Sequence, residues 1–295
     1  MIYAVTFNPS LDMVFALPPG LPPGDTYNHV PWMAHAGGKG NNVARAIKQL
    51  GGPVTAVGFY GGVIGQTIQQ LLSQQQISSL TTAISGSSRV CLTLLTDSVR
   101  EMRGEGPTIS PHTSRTLLER LRQQLTPSDW VTLSGSLPPG LSADDVKEWV
   151  RCLRPHCQGI IADLAGDNLI AACEAGVTAI CPNAAEYQDL LAKSWNAYPV
   201  HVVVTEGPRG VLWHPPNGDP PQRIYAPTVP ERNPVGAGDV LVGILAYGLW
   251  QGQDWPHALM RAVAAASASV VTKGVADIDQ SLLKQLIPQV SRGSP

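Results

Sequence analysis

The chain has no C-x-x-C pair: its cysteines, Cys91, Cys152, Cys157, Cys173 and Cys181, are scattered through 295 residues. That spacing excludes a thiolate zinc site and a dithiol redox motif, and it fits a reduced cytoplasm. No apolar run reaches the roughly 20 residues that a bilayer crossing requires. The opening "MIYAVTFNPSLD" lacks a basic region and turns polar by Asn8, so a soluble, cytoplasmic protein with no membrane partner is expected. A formal net charge of −2 leaves no global basic field. Nucleic acid is therefore not an expected partner, and any anion must be bound locally. Two nucleotide-binding signatures are missing as well. Lys39 is followed by Gly40, where a Walker A loop needs G-x-x-x-x-G-K-[ST], and no glycine cluster has the G-x-G-x-x-G spacing of a dinucleotide fold.

What the chain does contain is a β-α alternation. "IYAVTF" (2–7), "VTAVGF" (54–59), "DWVTLSG" (129–135), "GIIADL" (159–164), "VTAICP" (177–182) and "VHVVVTEG" (200–207) read as strands. Between them "NNVARAIKQL", "GQTIQQLLSQQ", "SRTLLERLRQQL", "ADDVKEWVRCL" and "AAEYQDLLAKS" repeat apolar residues at i, i+3 and i+4. The pattern implies one large α/β domain, a mostly parallel sheet covered by helices on both faces. Two segments break the rhythm. Residues 10–33 are Pro-rich with short extended pieces, and residues 88–103 read as a hairpin too apolar to stand in solvent, so together they predict a small β extension. "HPPNGDPPQ" (214–222) predicts a turn between two late strands, and the tail "SRGSP" is expected to fray.

Three clusters carry chemistry. In "NPVGAGDV" (233–240), Gly236, Ala237 and Gly238 open a long apolar helix with almost no side chain, so their N–H groups and the helix dipole favour an anion. Asp239, in the first turn beside that hole, can accept a hydroxyl proton. The same residues are ordinary helix-start chemistry, and the local pattern leaves both readings open. "AGGKGNNVARAIKQLG" (36–51) enters another helix with Lys39 and Asn42 near its start. Asn183 and Glu186 stand three apart at a strand-to-helix junction, where they fit either a hydrated Mg²⁺ or a capping box.

Taken in order, "NPSLD" (8–12), "AGGKGNN" (36–42), "GFYGG" (58–62), "SGSLPPG" (134–140), "PNAAE" (182–186), "TEGPRG" (205–210) and "NPVGAGD" (233–239) resemble the PfkB branch of the ribokinase family. The resemblance spans nearly the whole chain. "NPSLD", "SGSLPPG" and "EMRGEGP" (101–107) look most like the 1-phosphofructokinase and tagatose-6-phosphate kinase subgroup. It implies a ribokinase-like three-layer α/β/α core, nine-stranded in type, with a β lid from about 10–33 and 88–107. The implied activity is an ATP- and Mg²⁺-dependent sugar kinase acting on a ketohexose phosphate, with a homodimer through the lid as the expected assembly.

Carried over by the resemblance, Asp239 is the catalytic base and Gly236, Ala237 and Gly238 the anion hole. Asp12, Gly38, Lys39, Asn42 and Arg89 correspond to sugar or sugar-phosphate positions. Thr205, Gly207 and Gly210 fall in the nucleotide-side motif, and Asn183 with Glu186 matches the pair that organises Mg²⁺ through water. Four departures matter. His29 stands where the subgroup usually has a phosphate-binding arginine, Cys181 where the family commonly has a lysine, "DLAG" (163–166) where Asp-Thr-Ser-Gly is usual, and Val240 where serine is frequent. Arg103, on the lid in place of an uncharged residue, is a candidate compensation. His29 motivates a rival reading as a kinase of a neutral sugar or nucleoside; Cys181 and Val240 motivate a catalytically weakened sugar-phosphate sensor.

Overall fold

The structure is a computed structural model that describes residues 1–17, 26–96, 99–193, 200–216 and 218–293. In chain order the first strands are β1 (Ile2–Thr6), β2 (Ser10–Ala16), β3 (Trp32–Gly37), β4 (Val54–Gly58), β5 (Ser78–Leu80), β6 (Arg89–Leu95) and β7 (Val99–Arg103). They are followed by β8 (Trp130–Ser134), β9 (Gly159–Asp163), β10 (Ala179–Ile180), β11 (His201–Thr205), β12 (Val211–His214), β13 (Gln222–Tyr225) and β14 (Ser291–Gly293). The helices are α1 (Lys39–Gln49), α2 (Gly62–Gln74), α3 (Pro111–Arg122), α4 (Ala143–Leu153), α5 (Asp167–Glu174), α6 (Ala184–Ala192), α7 (Ala237–Trp250), α8 (Trp255–Ser269) and α9 (Gln280–Leu286).

The main sheet runs β14-β13-β12-β11-β10-β9-β8-β1-β4-β5, ten strands where the resemblance implies a nine-stranded type. From β11 to β5 every pairing is parallel, while β12, β13 and β14 close one edge antiparallel. Alternate residues of each strand serve opposite faces, as period-two geometry requires. Ile2 and Ala4 pack with α1, α7 and α8 on one side, and Tyr3 and Val5 pack with α3, α4 and α5 on the other. This is the three-layer α/β/α arrangement expected from the alternation.

The two odd segments form a second sheet of order β3-β2-β6-β7. Its centre is a parallel pair, β2 with β6, flanked by antiparallel β3 and β7. Residues 18–25 and 97–98 of the expected extension lie outside the described residues. "HPPNGDPPQ" joins β12 to β13, with Asn217 outside the description. The tail departs from expectation: Ser291–Gly293 pairs with β13, backbone bonds that composition alone does not reveal, and Ser294 and Pro295 lie outside the described residues.

Helix α7 answers for its sequence. Of its 14 residues, those from Asp239 to Leu249 are buried, so a helix apolar on all sides lies between the sheet and its neighbours. Gly243 lets it approach α1, since a Cβ there would stand 2.9 Å from the Val43 carbonyl oxygen. That close packing sets the N-termini of α1 and α7 side by side at the carboxyl ends of the parallel strands.

Candidate active site

Two cavities meet at the N-terminus of α7. The larger, of about 660 Å³, is lined by Asp12, Gly38, Lys39, Asn42, Arg89, Asn183, Glu186, Gly236 and Asp239, among others. The smaller, of about 320 Å³, is lined by Gly207, Gly210 and Ala237. Thr205 and Gly238 border both. Every residue carried over to a catalytic, substrate or nucleotide position thus lines one cavity or the other.

Gly236 is the N-cap of α7 in the left-handed region, φ 83°, and a Cβ there would stand 2.9 Å from the Ala276 backbone nitrogen. Its glycine is dictated by the fold. Gly238 differs, because a Cβ there would meet nothing within 4 Å. The space above the first turn is open to both cavities, and no side chain fills the position where the helix dipole is strongest.

Asp239 is buried and accepts a 2.7 Å hydrogen bond at Oδ2 from Nδ2 of Asn42. Burial, then the nearby charge of Asp163, push its carboxyl up to about 7, against the Asn42 hydrogen bond and the charges of Lys39 and Arg45. A carboxylate poised near neutrality is what a general base at physiological pH needs.

Lys39 points from the first turn of α1 to Asp163 at the end of β9, Nζ to Oδ1 3.0 Å. Burial works to lower the Lys39 pKa, but Asp163 and Asp239 act against it and the net direction is upward. Lys39 is therefore a secure cation. Burial holds the Asp163 carboxyl above its usual range, with Lys39 pulling it back. Asp163 was not singled out as a site residue in the sequence, although an acid at the carboxyl end of a central parallel strand is a signal of its own.

Asp12 sits on the small sheet and accepts from the Ser10 hydroxyl at 2.6 Å. Its carboxyl lies against Gly37, where a Cβ would come within 2.1 Å. Gly37 is fixed from below by a relay in which the Tyr60 hydroxyl donates to Asn41 Oδ1 at 2.7 Å and Asn41 Nδ2 donates to the Gly37 carbonyl at 2.7 Å. Arg89 donates through Nε and Nη2 to the Asn8 carbonyl at 3.2 and 3.0 Å, and it makes no ion pair among the described residues. Its charge faces the large cavity uncompensated by a contact carboxylate.

The Asn183 and Glu186 pair forms the capping box: Glu186 N–H donates to Asn183 Oδ1 at 2.9 Å, and Asn183 N–H donates to Glu186 Oε2 at 2.8 Å. Both line the large cavity. Gly210 has φ 88° and would place a Cβ 2.0 Å from the Ile224 carbonyl oxygen, so the β12–β13 hairpin explains it, whereas Gly207 borders open space.

The departures sort themselves by burial. Cys181 is buried near Asp163 and Lys39, where desolvation drives the thiol far up, so it supplies no charge in place of a lysine. Val240 is fully buried in the core and turns away from the cavity. His29 is exposed, with φ 59°, and is not among the cavity-lining residues. Arg103 borders the cavity, largely exposed, and pairs with Glu101 at 2.6 Å.

Residues 31–281 match the family model described as pfkB family carbohydrate kinase. The chain belongs to that family. It is 30% identical to the 1-phosphofructokinase of Escherichia coli K12 over 305 aligned positions, covering 98% of this chain and 97% of that enzyme. It is 29% identical to a tagatose-6-phosphate kinase of Staphylococcus epidermidis, covering 98% of both. Phosphofructokinase-2 of Escherichia coli, solved in complex with substrates and products, superposes with a TM-score of 0.86 at 25% identity over 98% of each chain. Ribokinase of Thermotoga maritima shares the fold, with a TM-score of 0.74 at 18% identity. As a pfkB-family carbohydrate kinase the protein is a phosphotransferase acting on an alcohol group. No helix among the described residues is long and apolar enough to cross a membrane.

Proposed function

We propose that the protein transfers the γ-phosphoryl group of ATP to a primary hydroxyl of a ketohexose phosphate such as fructose 1-phosphate or tagatose 6-phosphate. The observation that carries this reading is Asp239, buried, tuned to about 7 and held by Asn42 beside the open turn at Gly238. The acceptor oxygen forms its bond to the γ-phosphorus as the bond to the leaving ADP oxygen breaks, and the hydroxyl proton passes to Asp239. The N–H groups at 236–238 stabilise the charge on the moving group, the dominant form of catalysis in phosphoryl transfer. ATP extends from there into the smaller cavity past Thr205, Gly207 and Gly210.

Asn183 and Glu186 fit a hydrated Mg²⁺ and not a closed protein cage. Glu186 has an oxygen left over from the cap, and no cluster of three or more His, Cys, Asp or Glu that could hold a metal occurs among the described residues. Mg²⁺ characteristically keeps several waters and is held by one or two carboxylates plus phosphate oxygens. When bound it would neutralise charge on the phosphates.

Asp12, Gly38, Lys39, Asn42 and Arg89 take the acceptor, with Arg89 and Lys39 on its phosphate. The small sheet acts as a lid that keeps water from competing for the γ-phosphoryl group. Trp32, Met33, Val90, Leu95 and Met102 are exposed on its strands, and a second copy of the chain covers them in a homodimer. We place the protein in the cytoplasm, where its scattered cysteines stay reduced.

A kinase of a neutral sugar or nucleoside is the second reading, and the observation in its favour is the exposed His29. Steady-state kinetics of Arg89→Ala separate the two. On the first reading its KM for the phosphorylated acceptor rises at least tenfold while the KM for ATP stays within about twofold. An unchanged acceptor KM overturns the phosphate assignment.

A further inference from the structure

Arg45 lies one turn beyond Asn42 on α1 and is buried. Nη1 donates to Asn42 Oδ1 and to the Val275 carbonyl, each at 3.0 Å, Nη2 donates to the Ala36 carbonyl at 2.7 Å, and Nε donates to Gln75 Oε1 at 3.4 Å. Among the described residues it makes no ion pair. A buried guanidinium with only neutral carbonyls in contact carries a desolvation cost that no contact counter-ion offsets. Its arrangement answers a different need.

A primary amide has an accepting end and a donating end, whereas a guanidinium only donates. With Nη1 against it, the Asn42 amide turns its oxygen to Arg45 and must turn its nitrogen to Asp239. The two backbone carbonyls belong to the end of β3 and to the turn at 275–276, and Gln75 stands just past the end of α2. That turn packs against Gly236, with a Cβ on Gly236 reaching within 2.9 Å of the Ala276 nitrogen. One guanidinium thus holds β3, α1 and the support of the α7 N-terminus in register.

We propose that Arg45 is the positioning residue of the catalytic base, fixing the Asn42 amide so that it donates to Asp239. The assignment rests on reading Asp239 as the base. Arg45 faces Asp12 on β2, His35 on β3, Asp239 on α7 and Asp277 beyond the 275–276 turn, and Asp239 also faces Asp163 on β9 and Lys39 on α1. Arg45→Lys keeps the charge among these groups but gives up the fork that sets the amide.

The test is the pH profile of Arg45→Lys in wild-type and Asn42→Ala backgrounds, with the substrates wild type accepts. In the wild-type background, kcat falls about tenfold to a hundredfold, its acid limb moves to higher pH because the carboxylate loses a hydrogen bond, and the KM for ATP stays within about twofold. In the Asn42→Ala background Arg45→Lys adds less than about twofold, since the path it acts through is gone. An unmoved acid limb, or full additivity, overturns the proposal.

A second measurement needs neither an Arg45 variant nor turnover. In the wild-type protein the Arg45 guanidinium ¹⁵N shifts should titrate with the midpoint of the Asp239 carboxyl ¹³C signal and lose that step in Asp239→Asn. Arg45 shifts that ignore the Asp239 titration refute the coupling. Absence of turnover with every acceptor would instead refute the kinase reading and leave this measurement standing.

Discussion

The side-chain amide of Asn42 donates to Oδ2 of Asp239 at 2.7 Å, joining the first turns of two helices 197 residues apart in sequence. One turn belongs to the glycine cluster assigned to the acceptor, the other to the anion hole. On the proposed reading, the contact brings the base to the acceptor.

Replacing Asp239 with Asn keeps shape and removes the proton acceptor. Turnover should fall roughly 10²- to 10⁴-fold while the KM for each substrate changes little. Single-turnover measurements with saturating ATP would check it, and near-normal turnover would remove Asp239 from the mechanism.

The same variant carries a stability prediction. Asp239 has its folded pKa raised, from 3.8 to about 7. The folded state then binds its proton more tightly than the unfolded chain, so this group's contribution is fully present below about pH 4 and is lost as pH rises through about 7. Asp239→Asn should match wild type near pH 4 and exceed it at pH 8. Urea unfolding at the two pH values measures the difference. A variant less stable than wild type at pH 8 would contradict the electrostatic account.

Gly37 separates acceptor binding from folding. The three atoms nearest a Cβ at this position are the carboxyl carbon and both oxygens of Asp12, at 2.1 to 2.2 Å. Gly37→Ala should therefore displace the Asp12 carboxyl at little cost to the fold, raising the acceptor KM about tenfold or more with a Tm within a few degrees of wild type. A large loss of Tm with an unchanged acceptor KM would show that Gly37 serves the fold and not the site.

The parallel core was legible because β4, β8 and β10 are each followed by a helix whose apolar residues recur with a 3.6 period; the expected range for α4, 143–153, matches the observed one. Where expectation and structure part, tertiary context decided. "VTAICP" promised six strand residues and yields only Ala179–Ile180, because Val177 N–H still closes α5 on Ala172 and Pro182 has no N–H to offer. Helix α8, with apolar or small residues on most sides, shows no single stripe to read. Nothing in the tail announces that Ser291–Gly293 will find β13.

In the site the split is similar. Glycine clusters and Asp239 are local patterns, and the ordered motifs made them specific. The Lys39–Asp163 pair spans 124 residues and the Asn42–Asp239 bond 197, so neither partnership is written in any one stretch. Arg45 lies inside the amphipathic helix α1, three residues from Asn42, yet only its burial and four carbonyl partners distinguish it from a surface charge.

The most direct test is ADP formation by the purified protein with ATP and Mg²⁺ across fructose 1-phosphate, fructose 6-phosphate, tagatose 6-phosphate, fructose, ribose and adenosine. Rapid, acceptor-dependent ADP release with a phosphorylated ketohexose, far above that with the neutral acceptors, is the expected result. Transfer only to a neutral acceptor would contradict the phosphate-binding role of Arg89 and Lys39. Saturable binding of a sugar phosphate without any turnover would contradict the kinase assignment itself.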